Sequence, residues 1–172
     1  KWTYFEKDNS PEIYGTRRTI FDKDGHLWVS ATEGIYRYDG NMWKHFTENN
    51  GLPRSIDNYD VEDIMDIDVD KKGVVWAICK TGQILKLNDS VFVYHTENRT
   101  YCSRIFKSPD DNLLFSAGRE IFRFDGEVWD TISLPNYFPI YGLAFEGDSV
   151  WVGKYNYGIM KLSTKTKNWT GR

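Results

Sequence analysis

The stretch DKDGHLWVSATEGIYRYDGNMW, Asp22–Trp43, decides the fold because it returns. PDDNLLFSAGREIFRFDGEVW, Pro109–Trp129, repeats its SA, I, aromatic, R, aromatic, DG and W in the same order. Between them, DKKGVVWAICKTGQILKLNDSVF, Asp70–Phe92, sets Gly73 and Trp76 in the places of Gly25 and Trp28, with Phe92 in that of Trp43. After them, GDSVWVGKYNYGIMKLSTKTKNW, Gly147–Trp169, carries Trp151 and Trp169 in the two tryptophan places. The unit recurs roughly every 40 to 50 residues, a period that marks a repeat architecture.

Within a unit, Val, Ile, Trp, Tyr and Phe fill short runs separated by Asp-Gly or Gly-containing turns at hairpin spacing, as in RRTIF, LWVSA, IYRY and MWKHF of the first copy. This spacing predicts a four-stranded antiparallel meander. A lone meander has two apolar faces, and stacking copies around an axis buries both, which is the logic of a β-propeller blade. The expectation is an all-β chain, a β-propeller of four consecutive four-stranded antiparallel blades beginning near Tyr14, Val61, Arg104 and Ile140. The repeats span about 11–50, 51–98, 99–136 and 137–172 of a single module, 1–172, in which 1–10 is the outer strand of a preceding blade. Trp28, Trp76 and Trp151 are expected to pack between blades.

KWTYF, Lys1–Phe5, resembles the outer strand MWKHF, and KNWTGR at the end begins another. Two arrangements follow: an arc of a larger ring, or a closed four-bladed ring whose last blade borrows the N-terminal strand. The arc is preferred; it leaves apolar faces at both ends for further chain or another subunit.

The chain has 172 residues, 40% hydrophobic and 16% aromatic, with a formal net charge of −3. That composition builds a sizeable core and gives no overall attraction for nucleic acid or an anionic membrane. No apolar run approaches a membrane span and no signal peptide is visible. Lys1 is not an initiator methionine, which leaves a removed export signal open. Cys79 and Cys102 read either as small buried hydrophobes or as a disulfide between neighbouring units. His26, His45 and His95 form no HxxxH or HxH pair. No cofactor and no metal is implied.

The run DNYDVEDIMDIDVDKKG, Asp57–Gly73, places Asp66, Asp68 and Asp70 on one face of an inner strand and Met65, Ile67 and Val69 on the other. It reads as a solvated channel lining, with Asp70 serving the turn. As a calcium loop it fails: its glycine comes two places late and Ala77 stands where the closing glutamate belongs.

The aliphatic, D-x-x-G-x-L-W-V, T-x-x-G-I-Y-R-Y-D-G and W-x-x-F series at Asp22–Phe46, followed by NNGLP at Asn49–Pro53, resembles the two-component regulator propeller repeat. The likeness covers nearly the whole chain and weakens where Leu114 replaces the tryptophan and where the turn before Trp151 shortens to EGDS. It implies a sensor propeller of a hybrid two-component system of Bacteroidetes type, periplasmic or extracellular, taking part in signal transduction and recognising glycan fragments. The same repeats also occur in secreted proteins without a kinase. Asp89-Ser90-Val91, Asp130-Thr131-Ile132 and Asp148-Ser149-Val150 resemble O-glycosylation acceptors of exported Bacteroidetes proteins and are also ordinary turn-into-strand sequences.

In a propeller, the loops from outer to next inner strand share one face with those between second and third strands. That face is expected to gather the ligand-binding residues Tyr14, Arg17, Tyr59, Tyr101, Arg104, Arg119, Tyr141, Tyr155 and Tyr157. Tyrosine offers a flat apolar face with a polar tip, and arginine a fork for a carboxylate. The partners this implies are an oligosaccharide, a protein, or further blades of the ring, with no nucleic acid and no membrane segment in this chain. No G-x-S-x-G elbow, HExxH helix or nucleophile with a recognisable histidine is present. The expected function is non-catalytic binding. The alternatives are a propeller glycosidase, a lyase of the streptogramin-inactivating type, or a secreted protein-interaction scaffold. Far-ultraviolet circular dichroism should show β structure and no helix longer than about two turns.

Overall fold

The computed structural model describes residues 10–54, 63–96, 102–135, 140–154, 158–163 and 169–171. Its strands form four antiparallel sheets of four, each pairing in sequence order. The first holds β1 (Arg18–Phe21), β2 (Leu27–Ala31), β3 (Gly34–Tyr38) and β4 (Trp43–Phe46). The second holds β5 (Ile64–Val69), β6 (Val75–Cys79), β7 (Ile84–Asn88) and β8 (Val91–Thr96). The third holds β9 (Cys102–Lys107), β10 (Leu113–Ala117), β11 (Glu120–Phe124) and β12 (Trp129–Ser133), and the fourth β13 (Ile140–Glu146), β14 (Ser149–Lys154), β15 (Gly158–Ser163) and β16 (Trp169–Gly171). These are the four blades expected from the repeats. The N-terminal segment assigned to a preceding blade lies outside the described residues. Because β16 pairs with β15, the fourth blade has an outer strand of its own, as an arc requires.

A single 3₁₀ turn, Glu48–Asn50, links the first two blades. Thr47 caps it in a reciprocal box with Asn50, and Gly51 closes it at φ 81°. A Cβ at Gly51 would come within 2.1 Å of the Phe92 carbonyl oxygen, so the linker passes hard against the second blade and admits no side chain there.

The blades stack face to face. Trp28, Ile35 and Phe46 of the first pack on Ile67, Ala77, Leu85 and Phe92 of the second. On the second blade's other face, Trp76, Ile78 and Ile84 meet Ile105, Phe115 and Phe124 of the third. Leu114 and Ile121 of the third then meet Val150, Val152 and Met160 of the fourth. In each blade the tryptophan place faces the blade that follows. Trp28 and Trp76 are therefore 2% and 1% exposed, whereas Trp151, expected to pack between blades, is 37% exposed. The reason is positional: among the described residues no sheet follows the fourth. On the leading face of the first blade Phe21 is exposed, Tyr38 and Trp43 are half-buried, and Val29, Ala31 and Tyr36 form a small buried cluster with Ile13 and Trp43 packed against it.

One turn fixes each tryptophan. Asp22 Oδ1 accepts the backbone N–H groups of Asp24 and His26 at 3.0 and 2.9 Å, and its Oδ2 accepts Trp28 Nε1–H at 2.8 Å. Asp70 repeats the pattern with Lys72, Val74 and Trp76 at 2.8, 3.0 and 2.9 Å, so it serves the turn as expected. In the third blade Leu114 has no N–H to satisfy, and Ser108 takes the carboxylate's place, its Oγ accepting Asn112 N–H at 3.0 Å. In the fourth the turn is one residue shorter and the carboxylate one methylene longer: Glu146 Oε2 accepts Trp151 Nε1–H at 2.9 Å.

Trp76→Ala should cost about 3–5 kcal/mol as a large-to-small change in a filled interface. Asp70→Ala should cost about 2–3 kcal/mol by leaving the buried indole N–H without its charged acceptor. Trp151→Ala should cost much less than either. Urea titrations of the three variants check the order.

Candidate functional site at the mouth of the blade channel

The innermost strands β1, β5, β9 and β13 lie side by side around the channel, and three of them open with the same irregularity. The β5–β6 ladder slips between Ile64 and Asp66, the β9–β10 ladder where Cys102 and Arg104 flank Ser103, and the β13–β14 ladder between Ile140 and Gly142. At each slip the ladder register skips one residue: Met65, Ser103 and Tyr141. A bulge inserts an unpaired residue and re-aims its side chain. All three of these side chains line one cleft of about 550 Å³, together with Thr16, Arg17, Arg18, Asp66, Arg104 and Ile140. Every blade thus contributes to the cleft through the first residues of its inner strand.

Beneath the mouth lies a charge network across three blades. Arg18 Nη2 bonds Asp68 Oδ2 at 2.6 Å, its Nη1 sits 3.4 Å from Asp66 Oδ1, and the same nitrogen donates to the Ile105 carbonyl at 3.0 Å. Lys107 Nζ reaches Asp68 Oδ1 at 3.0 Å. Asp66 also accepts the Ile105 and Ile67 backbone N–H groups at 2.8 and 2.9 Å. The aspartates expected to line a solvated channel are therefore 1% and 4% exposed at Asp66 and Asp68, and they are paired with cations from both neighbouring blades. Charges at such burial persist only when partnered. Burial pushes the Asp66 carboxyl above its ordinary value, outweighing the Ile105 N–H, Arg18, the Ile67 N–H and Arg104, each of which pulls it down.

No family model matches the sequence, and no curated protein matches it. Solved structures do share the fold. The chain is similar to the extracellular domain of the B. thetaiotaomicron hybrid two-component system BT4673, with 19% identity and a TM-score of 0.72 over 91% of this chain and 23% of that one. The corresponding domain of BT3049 from the same organism gives 17% and 0.68, over 90% and 22%. Virginiamycin B lyase from Staphylococcus aureus, crystallised as an inactive variant with quinupristin, gives 18% and 0.66, over 90% and 54%. The chain thus spans under a quarter of the two extracellular domains and about half of the lyase. The first two are extracellular domains of two-component systems, the setting that the repeat resemblance implies, and the partial coverage agrees with an arc of a larger ring.

Of the residues expected on the binding face, Arg17, Arg104 and Tyr141 line the cleft. Arg17 is engaged, its guanidinium forking onto both oxygens of Asp63. Tyr14 and Arg119 are exposed but lie away from the cleft; Tyr14 donates to Glu12 Oε2 at 2.7 Å. Tyr59, Tyr101, Tyr155 and Tyr157 lie outside the described residues. The two loop families do meet on one face: Thr32 N–H bonds the Tyr14 carbonyl and Lys80 N–H that of Asp63. Sequence reasoning missed Thr16, Arg18, Met65, Ser103 and Ile140, which it counted as strand or connection, and it placed Asp66 in the channel lining rather than among the binding residues. The signal available was their position four to six places before each blade's turn carboxylate or Ser108.

Elsewhere, Cys79 and Cys102 are buried in different inter-blade clusters with no disulfide between them, and burial pushes the Cys102 thiol up to about 12. Asp22, Asp24 and His26 bring ligand atoms within 4.8 Å of one another, but Asp22 is already committed to the turn and to Trp28.

Two carboxylates should titrate with opposite signs. Asp66, raised, contributes stability that is present below 3.8 and lost as pH rises through its folded value. At Asp22, burial raises the carboxyl, but the bonds from Trp28 and His26 outweigh it, so its contribution is present above 3.8 and lost as pH falls through its folded value. Relative to wild type, Asp66→Asn should therefore gain stability with rising pH across the first window, and Asp22→Asn should gain with falling pH across the second. Denaturant midpoints measured against pH give both slopes.

Proposed function

We propose that the chain is a non-catalytic recognition module, the extracytoplasmic sensing part of a signalling protein in the periplasm or outside the cell, and that it holds a glycan fragment at the mouth of the blade channel. The observation that carries this reading is the convergence of Arg17, Arg18, Arg104 and Tyr141 on one cleft of about 550 Å³, a size that suits a small ligand. Tyr141, 59% exposed, offers a ring for stacking against a sugar, and Arg104 offers a planar set of donors. Tyr14 and Arg119 are assigned to the wider rim of the same face.

The likeness to virginiamycin B lyase favours a second reading, an eliminating enzyme at the same mouth. The positions of the histidines weigh against it. His26 is held in the Asp22 turn, His45 stacks on Tyr36 with ring centroids 4.1 Å apart, and His95 stacks on Trp129. None of them lines the cleft.

Calorimetry against pools of oligosaccharides, with product analysis of the same mixtures, separates the two. Binding without turnover is expected, and Tyr141→Ala should weaken it about tenfold, or about 1.4 kcal/mol. Turnover abolished by a single carboxylate substitution would establish the enzyme instead. Capture of a protein partner through this rim, with no saccharide bound at millimolar concentration, would establish the scaffold.

A further inference from the structure

The register of the inner strands makes four residues equivalent. Arg18 pairs with Ser30, Asp66 with Ile78, Arg104 with Ser116 and Gly142 with Gly153, each two places beyond the residue opposite Trp28, Trp76, Leu114 or Trp151. In successive blades the channel mouth therefore reads cation, anion, cation, glycine. Arg18 has its counter-charge one blade on, in Asp66 at the same level and Asp68 one step deeper. Arg104 stands to the fourth blade as Arg18 stands to the second, and there it finds Gly142 and, one step deeper, Ala144.

The two arginines differ accordingly. Arg18 is committed to two carboxylates and a carbonyl. Arg104 is exposed, lines the cleft, and among the described residues donates its side chain to no acceptor; its charge reaches Asp66 only through space. A Cβ built on Gly142 meets nothing within 4 Å, so the place that a side-chain carboxylate would occupy is open. Tyr141, the bulge residue beside it, lines the same cleft.

We propose that the cleft takes a carboxylate-bearing sugar, a uronate, whose carboxylate sits beside Gly142 and supplies Arg104 with the counter-ion that Asp66 supplies to Arg18, while Tyr141 stacks on the ring. Arginine pairs with a carboxylate through two parallel N–H bonds, a fit that a neutral sugar does not offer. The inference rests on the cleft's being a saccharide site and adds the charge of its ligand.

The test uses the intact protein carrying these blades, with glucuronate, galacturonate and mannuronate as probes, beside the matching neutral hexoses and a sulfated galactose. Ligand-observed nuclear magnetic resonance titration at millimolar concentration gives the affinities. At least one uronate should bind about tenfold or more tighter than its hexose. Arg104→Ala should remove that preference. Gly142→Asp should remove it too, by placing a resident carboxylate beside Arg104, without lowering the melting temperature. Gly142→Asn, of equal size and uncharged, should retain it, which distinguishes loss of the site from loss of the fold. Hexoses binding as well as uronates, with binding sensitive to Tyr141→Ala alone, would overturn the carboxylate and leave the saccharide cleft standing. A preference for the sulfated sugar that Gly142→Asp does not touch would also overturn it. Failure of every sugar to bind would overturn both readings.

Discussion

The structure depends on one bond repeated down the chain, from an indole N–H to the carboxylate that makes the first turn of the same blade. A tryptophan flat enough to fill the space between two sheets brings a polar N–H into a dry interface, where an unpaired donor is costly. Taking the acceptor from the turn solves this locally, since the same carboxylate holds the turn's backbone and the ring's edge. Turn geometry and blade packing are thereby one specification. The two departures divide it. Where the loop to Trp151 loses a residue, Glu146 restores the reach and the contact is kept with another residue type. Where Leu114 brings no N–H, Ser108 replaces the carboxylate and holds the turn alone.

With each blade clamped near that turn, the opposite end of the inner strand is free to vary. The slips at Met65, Ser103 and Tyr141 lie there, where a bulge disturbs the ladder without disturbing the tryptophan. Each turns a residue out of the period-2 pattern and towards the channel mouth, so a repeat that is otherwise monotonous presents a different pair of side chains from each blade. The charges follow the same division. Arg18, Asp66, Asp68 and Lys107 balance one another across three blades and act as a polar seam in the stack. Arg104 stands in the same repeat position without that balance.

The architecture was legible because turn chemistry and alternation are local. Asp-Gly turns, the tryptophan places and the four-strand count follow from short windows, and each blade is built from one window. The site was legible only where it coincides with loops: Arg17, Arg104 and Tyr141 sit at strand starts that blade geometry assigns to one face. The bulges escaped because strict alternation counted back from Asp70 sets Met65 beside Ile67 and Val69, whereas the slip hands that face to Ile64 and turns Met65 into the cleft. The burial of Asp66 and Asp68 escaped for a different reason. An acidic run reads as solvated until its counter-charges are placed, and Arg18 and Lys107 come from other blades, far off in the sequence. Trp151 is 37% exposed in the same repeat place, since equivalence of position fixes which way a ring faces but not whether, among the described residues, anything stands opposite.

The physics of the mouth also bears on how tightly it can hold what enters. The cleft is formed by strand ends and an exposed tyrosine, so a small saccharide placed there stays partly in water. Its translational and rotational freedom is lost in full, while the desolvation that strengthens an arginine–carboxylate pair is only partial. Modest affinity follows from that geometry. For the recognition module we propose this is a working range, since a receptor reports a change in concentration only near its own dissociation constant, and a fragment released in quantity needs a site that does not saturate early. Tightening would come from covering the mouth. The residues placed to do so are those of the rim loops on the same face, whose backbones are tied to one another at Tyr14 and Thr32 and again at Asp63 and Lys80.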